Sequence, residues 1–286
     1  MPFVTSHMSI SLDGFVAGPD QSAENPLGIG GRKVHAWHIT ETKHPVDEAF
    51  TQRLLGPRGA YIMGRNMFGP VRGEWGDSDW QGWWGPEPPY HAPAFVLTHY
   101  PHDPITMEGG TTFYFVDGFD TALAEAAKQA GDRPIDIAGG ASAVRQALQA
   151  RCLNELVLDI APVVLRDGER IFDDVPEFDA EIVEAATSPL ATHIVYKINS
   201  SDSPTDANPL TRGGSGSLQS ALPEWRRSII SWPRVHVRRS GGRLRRSPND
   251  QPHGRKRGSS CVTAIAGYCR ARVRTGHRRI RPSSQG

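Results

Sequence analysis

Residues 135–151, IDIAGGASAVRQALQAR, constrain the chain more than any other stretch. A short strand-like run ends in Gly139-Gly140, and an amphipathic, alanine-rich segment begins at once, with Ala141 and Ser142 in its first turn. A strand–glycine–helix unit of this kind exposes several unpaired backbone N–H groups at the positive end of a helix dipole. The missing side chains also let an anion approach the backbone closely. Two readings stand at this point: a cradle for a pyrophosphate, or a tight turn and nothing more. The spacing is neither the GxGxxG fingerprint nor a Walker A loop.

The same alternation runs through residues 1–199. Strand-like runs fall at Phe3 to Leu12, Ala60 to Met63, Ala94 to Thr98, Thr112 to Val116, Ile135 to Ala138, Glu155 to Ile160 and His193 to Ile198. Many are β-branched or aromatic and bounded by Gly or Pro. Helical spacing appears at Val46 to Leu55, Phe119 to Ala130 and Ser142 to Arg151, and Gly131 supplies a stop for the second. The order predicts an α/β fold, a mostly parallel sheet flanked by helices on both faces, and the length is ample for one core.

Charge divides the chain. Of its 286 residues, 1–200 hold 14 Lys and Arg against 27 Asp and Glu, whereas 201–286 hold 18 against 4, so the net charge of +1 conceals two unlike segments. The basic segment is rich in Ser, Gly, Pro and Arg and cannot bury enough apolar surface to offset its ordering entropy. Two domains are therefore expected: a folded unit over 1–200 and a disordered, low-complexity tail over 201–286. The tail reads as an out-of-frame extension, because it lacks helix periodicity, a recognition motif and regular aromatic spacing. Polyanion binding through phosphate neutralisation is the alternative, and nucleic acid is not an expected partner. No apolar run approaches the roughly 18 residues of a membrane span, and MPFVTSHMSISLDG lacks a basic patch followed by an apolar stretch, so a cytoplasmic protein is expected. Cys152, Cys261 and Cys269 form neither a disulfide framework nor a CxxC pair.

Other strand ends carry polar groups suited to a ligand. In AYIMGRNMFGP (60–70) a strand meets Gly64, and Arg65 follows with Asn66, where a guanidinium can pair with a phosphate. FVLTH (95–99) offers Leu97, Thr98 and His99 at a further strand end, and Arg65 with Thr98 suits a 2′-phosphate, favouring NADP over NAD. Each residue alone also suits a solvated surface; their coincidence at carboxyl ends of strands carries the case. The segment from Ala17 to Leu27 is long enough to act as a flap, and Asp13 either hydrogen-bonds a substrate or stabilises its turn. Trp75, Trp80, Trp83 and Trp84 crowd a loop that either stacks on a flat heterocycle or packs on itself. His35, His38, His91, His99 and His102 lack HExxH or carboxylate companions at ligand spacing and read as hydrogen-bonded or solvated, with no metal expected. In PVVLRDGERIF (162–172) Asp167-Gly168 predicts a hairpin-like turn closing the sheet edge.

Together SLDGFVAG (11–18), YIMGRNMFGP (61–70), FVLTH (95–99), IAGGASAVRQAL (137–148) and APVVLRDGERIF (161–172) resemble the dihydrofolate reductase-like superfamily. More narrowly, they are similar to the reductase domain of the riboflavin-biosynthesis deaminase/reductase in its stand-alone bacterial form. The resemblance spans residues 3 to about 199 and does not extend to the tail. It implies NADPH as cofactor and a homodimer. It also implies that Gly139 and Gly140, with Ala141 and Ser142, hold the pyrophosphate. Gly64 and Arg65 would contact the adenosine phosphate side, Leu97 and Thr98 the adenine ribose, and Ala17 and Gly18 the nicotinamide; Asn66, beside Arg65, is a further candidate cofactor contact. Many relatives have three glycines where this chain has Ala138-Gly139-Gly140.

The acidic residue that dihydrofolate reductases carry on the helix after the flap has Asp47 and Glu48 as its nearest counterparts by order. The expected chemistry is hydride transfer to a C=N or C=O carbon of a pteridine-like or ribosylaminopyrimidine-like substrate, as in 5-amino-6-(5-phosphoribosylamino)uracil reduction. Asp13 and Glu48 are the candidate catalytic residues, water being the other proton source, and Asp13, Trp83 and Trp84 the candidate substrate contacts. A nucleotide-binding sensor without turnover remains the alternative from another class.

Overall fold

A computed structural model describes residues 2–70, 72–76 and 79–199. The expected disordered tail, and with it the boundary at residue 200, lies outside the described residues. Among the described residues eleven strands are present: β1 (Val4–Ser11), β2 (Phe15–Ala17), β3 (Ala60–Gly64), β4 (Pro93–Leu97), β5 (Ile105–Thr106), β6 (Thr112–Val116), β7 (Ile135–Gly139), β8 (Glu155–Ala161), β9 (Glu169–Arg170), β10 (Asp179–Thr187) and β11 (Thr192–Asn199). The helices are α1 (Ala36–Ile39), α2 (Pro45–Leu54), α3 (Arg65–Phe68), α4 (Phe119–Ala130) and α5 (Ala141–Gln149).

Nine strands form one sheet in the order β10-β11-β8-β1-β7-β3-β4-β6-β5. The six strands from β8 to β6 run parallel; β5 joins one edge and the β10–β11 pair the other, both antiparallel. This is the mixed, mostly parallel, dihydrofolate reductase-like α/β arrangement anticipated above. Strand alternation sorts the core onto two faces. Met8, Ile10, Ile62, Phe95, Ile137 and Leu158 pack under α4 and α5, whose inward stripe is Phe119, Ala122, Ala126, Val144, Ala147 and Leu148. On the opposite face Tyr61, Met63, Val96 and Phe113 meet Phe68 of α3 and the Trp-rich loop, while Val157 and Val195 meet Trp37 of α1 and Phe50 of α2.

One feature of the register opens the sheet. β1 and β8 are paired over seven residues, from Thr5↔Glu155 to Ser11↔Ala161, yet β1 and β7 are paired only at Val4↔Ile135 and Thr5↔Asp136. Beyond Thr5 the two central parallel strands diverge, and β7 bulges against β3 between Ile62↔Ile137 and Met63↔Gly139. A slot is thereby left at the carboxyl edge, where open α/β sheets take ligands.

One expectation needs correction. Asp167-Gly168 does not close the sheet edge: β9, just after it, pairs with β2 in a separate two-stranded sheet. The reason is local, since both carboxylate oxygens of Asp13 draw this segment in through the N–H groups of Leu165 and Arg166 (3.1 and 2.7 Å), and Arg170 donates back to the Asp13 carbonyl (2.8 Å). Gly168, at φ +130°, packs its Cα where a side chain would collide with the Ala17 carbonyl. The true edge is β10, which the periodicity does not announce: its residues are almost all exposed, so they show no core-facing alternation.

Candidate functional site

The slot continues into a cleft of about 560 Å³ lined from several elements. Its first half lies over the strand ends. β3 and β7 are neighbours, so Gly64 faces the Gly139-Gly140 corner: a Cβ on Gly64 would sit 3.6 Å from the Gly140 nitrogen. The peptide bond between Gly139 and Gly140 is cis, Gly139 has φ +114°, and nothing stands within 4 Å of where a Gly140 side chain would begin. α5 starts directly on this corner, with Gly140 as its N-cap, so its first N–H groups open onto the cleft. Gly64, Arg65, Asn66, Leu97, Thr98, Gly139, Gly140, Ala141 and Ser142 all line the cleft, and Ala17 borders it from β2.

Arg65 is the charged group of this half. Its Nη1 donates to Thr98 Oγ1 at 3.1 Å, and its guanidinium carbon sits 3.7 Å from the Trp75 ring centre and 5.1 Å from that of Tyr100. Nε and Nη2 are buried without a hydrogen-bond partner among the described residues. Desolvation draws its pKa below the usual arginine value. Unspent buried donors on a cation are costly, and an anion with several acceptor oxygens would satisfy them.

The second half lies on the face shared by α1 and α2. Its floor holds His7 and Ser9 of β1 with Asp136 and Ala138 of β7; its walls are His35, His38 and Leu54 on one side and Trp84, Pro89 and Tyr90 on the other. His35 and His38 are hydrogen-bonded to one another (Nδ1 to Nε2, 3.2 Å), and His35 Nε2 also meets the Val16 carbonyl. Burial pushes the pKa of His35 down, and burial with the neighbouring His35 pushes that of His38 well down.

Behind the floor runs a fully buried chain of titratable groups. His193 of β11 lies between two carboxylates, Nδ1 at 2.7 Å from Asp159 Oδ1 and Nε2 at 2.9 Å from Asp47 Oδ1. Burial opposes the charged ring, but the hydrogen bonds to Asp159 and Asp47 outweigh it, and the His193 pKa is raised. His7 Nε2 lies 2.9 Å from the second oxygen of Asp159, a close electrostatic contact bent away from hydrogen-bond geometry. Desolvation raises the Asp159 carboxyl, and the neighbouring His7 ring with the hydrogen bond to His193 overcomes it, so its pKa is lowered. Trp37 Nε1 donates to Ser9 Oγ at 2.9 Å and seals the chain from α1.

Several anticipated site residues lie elsewhere. Asp13 is outside the cleft lining, its carboxylate filled by Ser11, Leu165 and Arg166. Glu48 is on the exposed face of α2, beside Gln52 and Lys43, while its neighbour Asp47 points inward to His193. Gly18 is buried against the Ile29 backbone rather than at the cleft. Trp83 is packed edge-on against Trp80 at 4.5 Å, so the loop is largely self-packed and only Trp84 of the two candidate indoles reaches the lining. His7, Ser9 and Asp159 were missed. Their signal was available: Thr5, His7, Ser9 and Ser11 place polar groups at every second position of a strand that is buried throughout.

Fold and cleft together define a dihydrofolate reductase-like α/β domain with a cleft at the carboxyl edge of its sheet. The profile of the RibD C-terminal domain matches residues 2–189, and the chain belongs to that family, which is an oxidoreductase family of the riboflavin-biosynthesis type. Solved structures similar to it include a putative riboflavin biosynthesis protein from Shewanella sp. PV-4 (19% identity, 70% of this chain and 100% of that one, TM-score 0.48). Another is a dihydrofolate reductase from Enterococcus faecalis complexed with NADP(H) (15%, 69% and 97%, TM-score 0.42). A third is a diaminohydroxyphosphoribosylaminopyrimidine deaminase/5-amino-6-(5-phosphoribosylamino)uracil reductase from Thermotoga maritima (11%, 69% and 57%, TM-score 0.44). No curated protein matches the sequence. Among the described residues no helix is long and apolar enough to cross a membrane.

Proposed function

We propose that the chain is an NADPH-dependent reductase acting on 5-amino-6-(5-phosphoribosylamino)uracil or a closely related ribosylaminopyrimidine. The observation that carries this reading is Arg65, a half-buried side chain whose Nε and Nη2 are buried without a partner among the described residues, hydrogen-bonded to Thr98 and beside the facing glycine corners. These residues fit a phosphorylated dinucleotide. In this reading the Gly139-Gly140 corner and the first turn of α5, with Ala141 and Ser142, receive the pyrophosphate. Arg65 and Thr98 bind the 2′-phosphate, with Gly64, Asn66 and Leu97 forming the adjoining wall. Ala17 closes over the junction of the two halves, and Trp84 offers an aromatic wall to the substrate ring.

When bound, the reduced nicotinamide supplies the hydride. The protein contributes position: the divergence of β1 from β7 gives two adjoining compartments in one cleft, so that donor and acceptor meet without crossing the sheet. Isothermal titration of the full chain with NADPH and NADH tests the reading, followed by NADPH oxidation with 5-amino-6-(5-phosphoribosylamino)uracil. Saturable binding with NADPH preferred, and substrate-dependent oxidation, are expected. A chain that binds neither nucleotide is not this reductase.

A further inference from the structure

We propose that His7 is the proton donor of the reduction, held as an imidazolium at the cleft by the buried chain Asp159–His193–Asp47. The inference rests on the reductase reading above and concerns a residue in the other half of the cleft.

Charge balance is the first argument. Both His193 nitrogens face carboxylate oxygens, at 2.7 and 2.9 Å, so the ring is best satisfied with both nitrogens protonated, donating one N–H to Asp159 and the other to Asp47. Two carboxylates and one imidazolium leave one buried negative charge, with all three side chains inaccessible to solvent. An uncompensated charge at such depth is strongly unfavourable. The groups around Asp159 that can supply a cation are few. His35 and His38 share their facing nitrogens with each other, Lys43 pairs with Glu48 at 3.6 Å, and Arg58 lies 4.0 Å from Asp136 across the slot. His7 remains, with Nε2 2.9 Å from the Asp159 oxygen that His193 does not bond.

Position is the second argument. His7 is the second residue after the last β1–β7 pair, on the floor of the cleft where the strands have parted. Its Nδ1 is buried without a hydrogen-bond partner among the described residues, as is Nδ1 of His38 in the facing wall, so the floor holds unspent hydrogen-bonding capacity for a ligand's polar edge. Asp159, His193 and Asp47 act through His7 and are positioning residues. Ser9 Oγ, 3.5 Å from Asp159, and the Trp37 and Phe50 rings beside His7 complete the surround.

The step balances. Two electrons and one hydrogen arrive as hydride at the carbon of a C=N or C=O group, whose π pair moves to nitrogen or oxygen. That atom takes the proton from His7 Nδ1 to form an N–H or O–H bond, and the former N–H pair stays on the imidazole. His7 is left neutral, with Nε2–H still facing Asp159, and regains its proton from solvent once product leaves. Overall the substrate gains a hydride from NADPH and a proton from water, through His7.

The test uses the full chain labelled with ¹⁵N-histidine. Two-bond ¹H–¹⁵N spectra distinguish doubly protonated rings from neutral ones, and the His7 ring is assigned by its loss in His7→Gln, or in His7→Asn should the first variant not fold. Expected are doubly protonated signals for both His193 and His7 in the assay buffer, and a neutral His7 ring in Asp159→Asn. A neutral His7 ring in the unsubstituted protein, its charge cancelled instead by a protonated Asp47, overturns the proposal. In turnover of 5-amino-6-(5-phosphoribosylamino)uracil, His7→Gln is expected to lower kcat by about 10²–10⁴-fold with the NADPH Kd changed less than about twofold. An unchanged kcat also overturns it. If the unsubstituted protein fails to bind NADPH, the reductase reading falls and takes the donor role with it, whereas the two failures above leave that reading intact.

Discussion

Arg65 hydrogen-bonds Thr98 through Nη1 at 3.1 Å while the indole of Trp75 covers the guanidinium face at 3.7 Å. The contact joins the end of β3 to the end of β4, leaves Nε and Nη2 without partners among the described residues, and fixes the direction of a cation whose side chain is otherwise flexible. If these nitrogens meet the 2′-phosphate, Arg65→Ala weakens NADPH binding by about 10- to 100-fold, the equivalent of about 1.5–3 kcal/mol for a hydrogen bond to a charged group, and NADH binding far less. Calorimetric titration with both nucleotides checks this; equal losses would show that Arg65 does not discriminate them.

Gly64 offers a subtler probe. Its φ of −74° suits any residue, and a methyl group there would make only ordinary contact with Gly140, so Gly64→Ala should keep Tm within about 2 °C of the parent. The methyl nevertheless intrudes between the two corners assigned to the dinucleotide. NADPH binding should fall at least about tenfold, since a closely approached backbone loses its contacts when held off by a carbon atom. Unimpaired binding would place the cofactor elsewhere in the cleft.

His193 gives a stability prediction with a definite sign. Its folded-state pKa is raised, so the stabilisation from its charged form is fully present below the unfolded value of 6.5 and is lost as pH rises through the folded value. Urea melts of the parent should therefore weaken as pH rises above 6.5. Removing the ring with His193→Ala leaves Asp159 and Asp47 facing an empty space and should cost about 3–5 kcal/mol below pH 6.5. A variant as stable as the parent there would mean that the three groups are not held as a charged chain.

Asp13 acts at the opposite end of the pH scale. The Ser11 hydroxyl, joined by the Arg166 and Leu165 N–H groups, outweighs desolvation and brings its pKa from 3.8 to about 2. A depressed carboxyl stabilises the fold above its unfolded value and ceases to do so as pH falls through the folded one. Asp13→Asn should accordingly lower Tm at pH 7, and the difference from the parent should shrink between about pH 4 and pH 2. Activity should follow stability alone, because the carboxylate does not reach the cleft.

Ending the chain after residue 200 tests the proposed division into a folded reductase domain and a basic tail. The shortened protein is expected to keep its Tm within about 2 °C and to bind NADPH as before. A large loss of either would assign the tail a part in folding or in the site.

Much of this molecule was legible from local patterns. β6 and α4 fall at the predicted residues, because Thr112–Val116 is rich in aromatic residues and Phe119–Ala130 carries an apolar stripe stopped by Gly131. The glycine corners were equally visible, since a strand running into glycine and then a helix exposes backbone donors whatever surrounds it. β10 was not, because an exposed edge strand takes its pairing from β11 rather than from any periodicity of its own.

Sequence alone determined the six parallel strands with β11, the helices α2, α4 and α5, and the places where a strand runs through glycine into a helix, since these depend on neighbours a few residues apart. Tertiary structure decided which polar residues meet. His7 and Asp159 are separated by 152 positions, Asp47 and His193 by 146, and Asp13 and Asp47 differ only in what folding brings against them. A carboxylate's role depends on the dielectric and donors around it, and those are supplied by parallel strand order and helix packing that no short window of residues encodes.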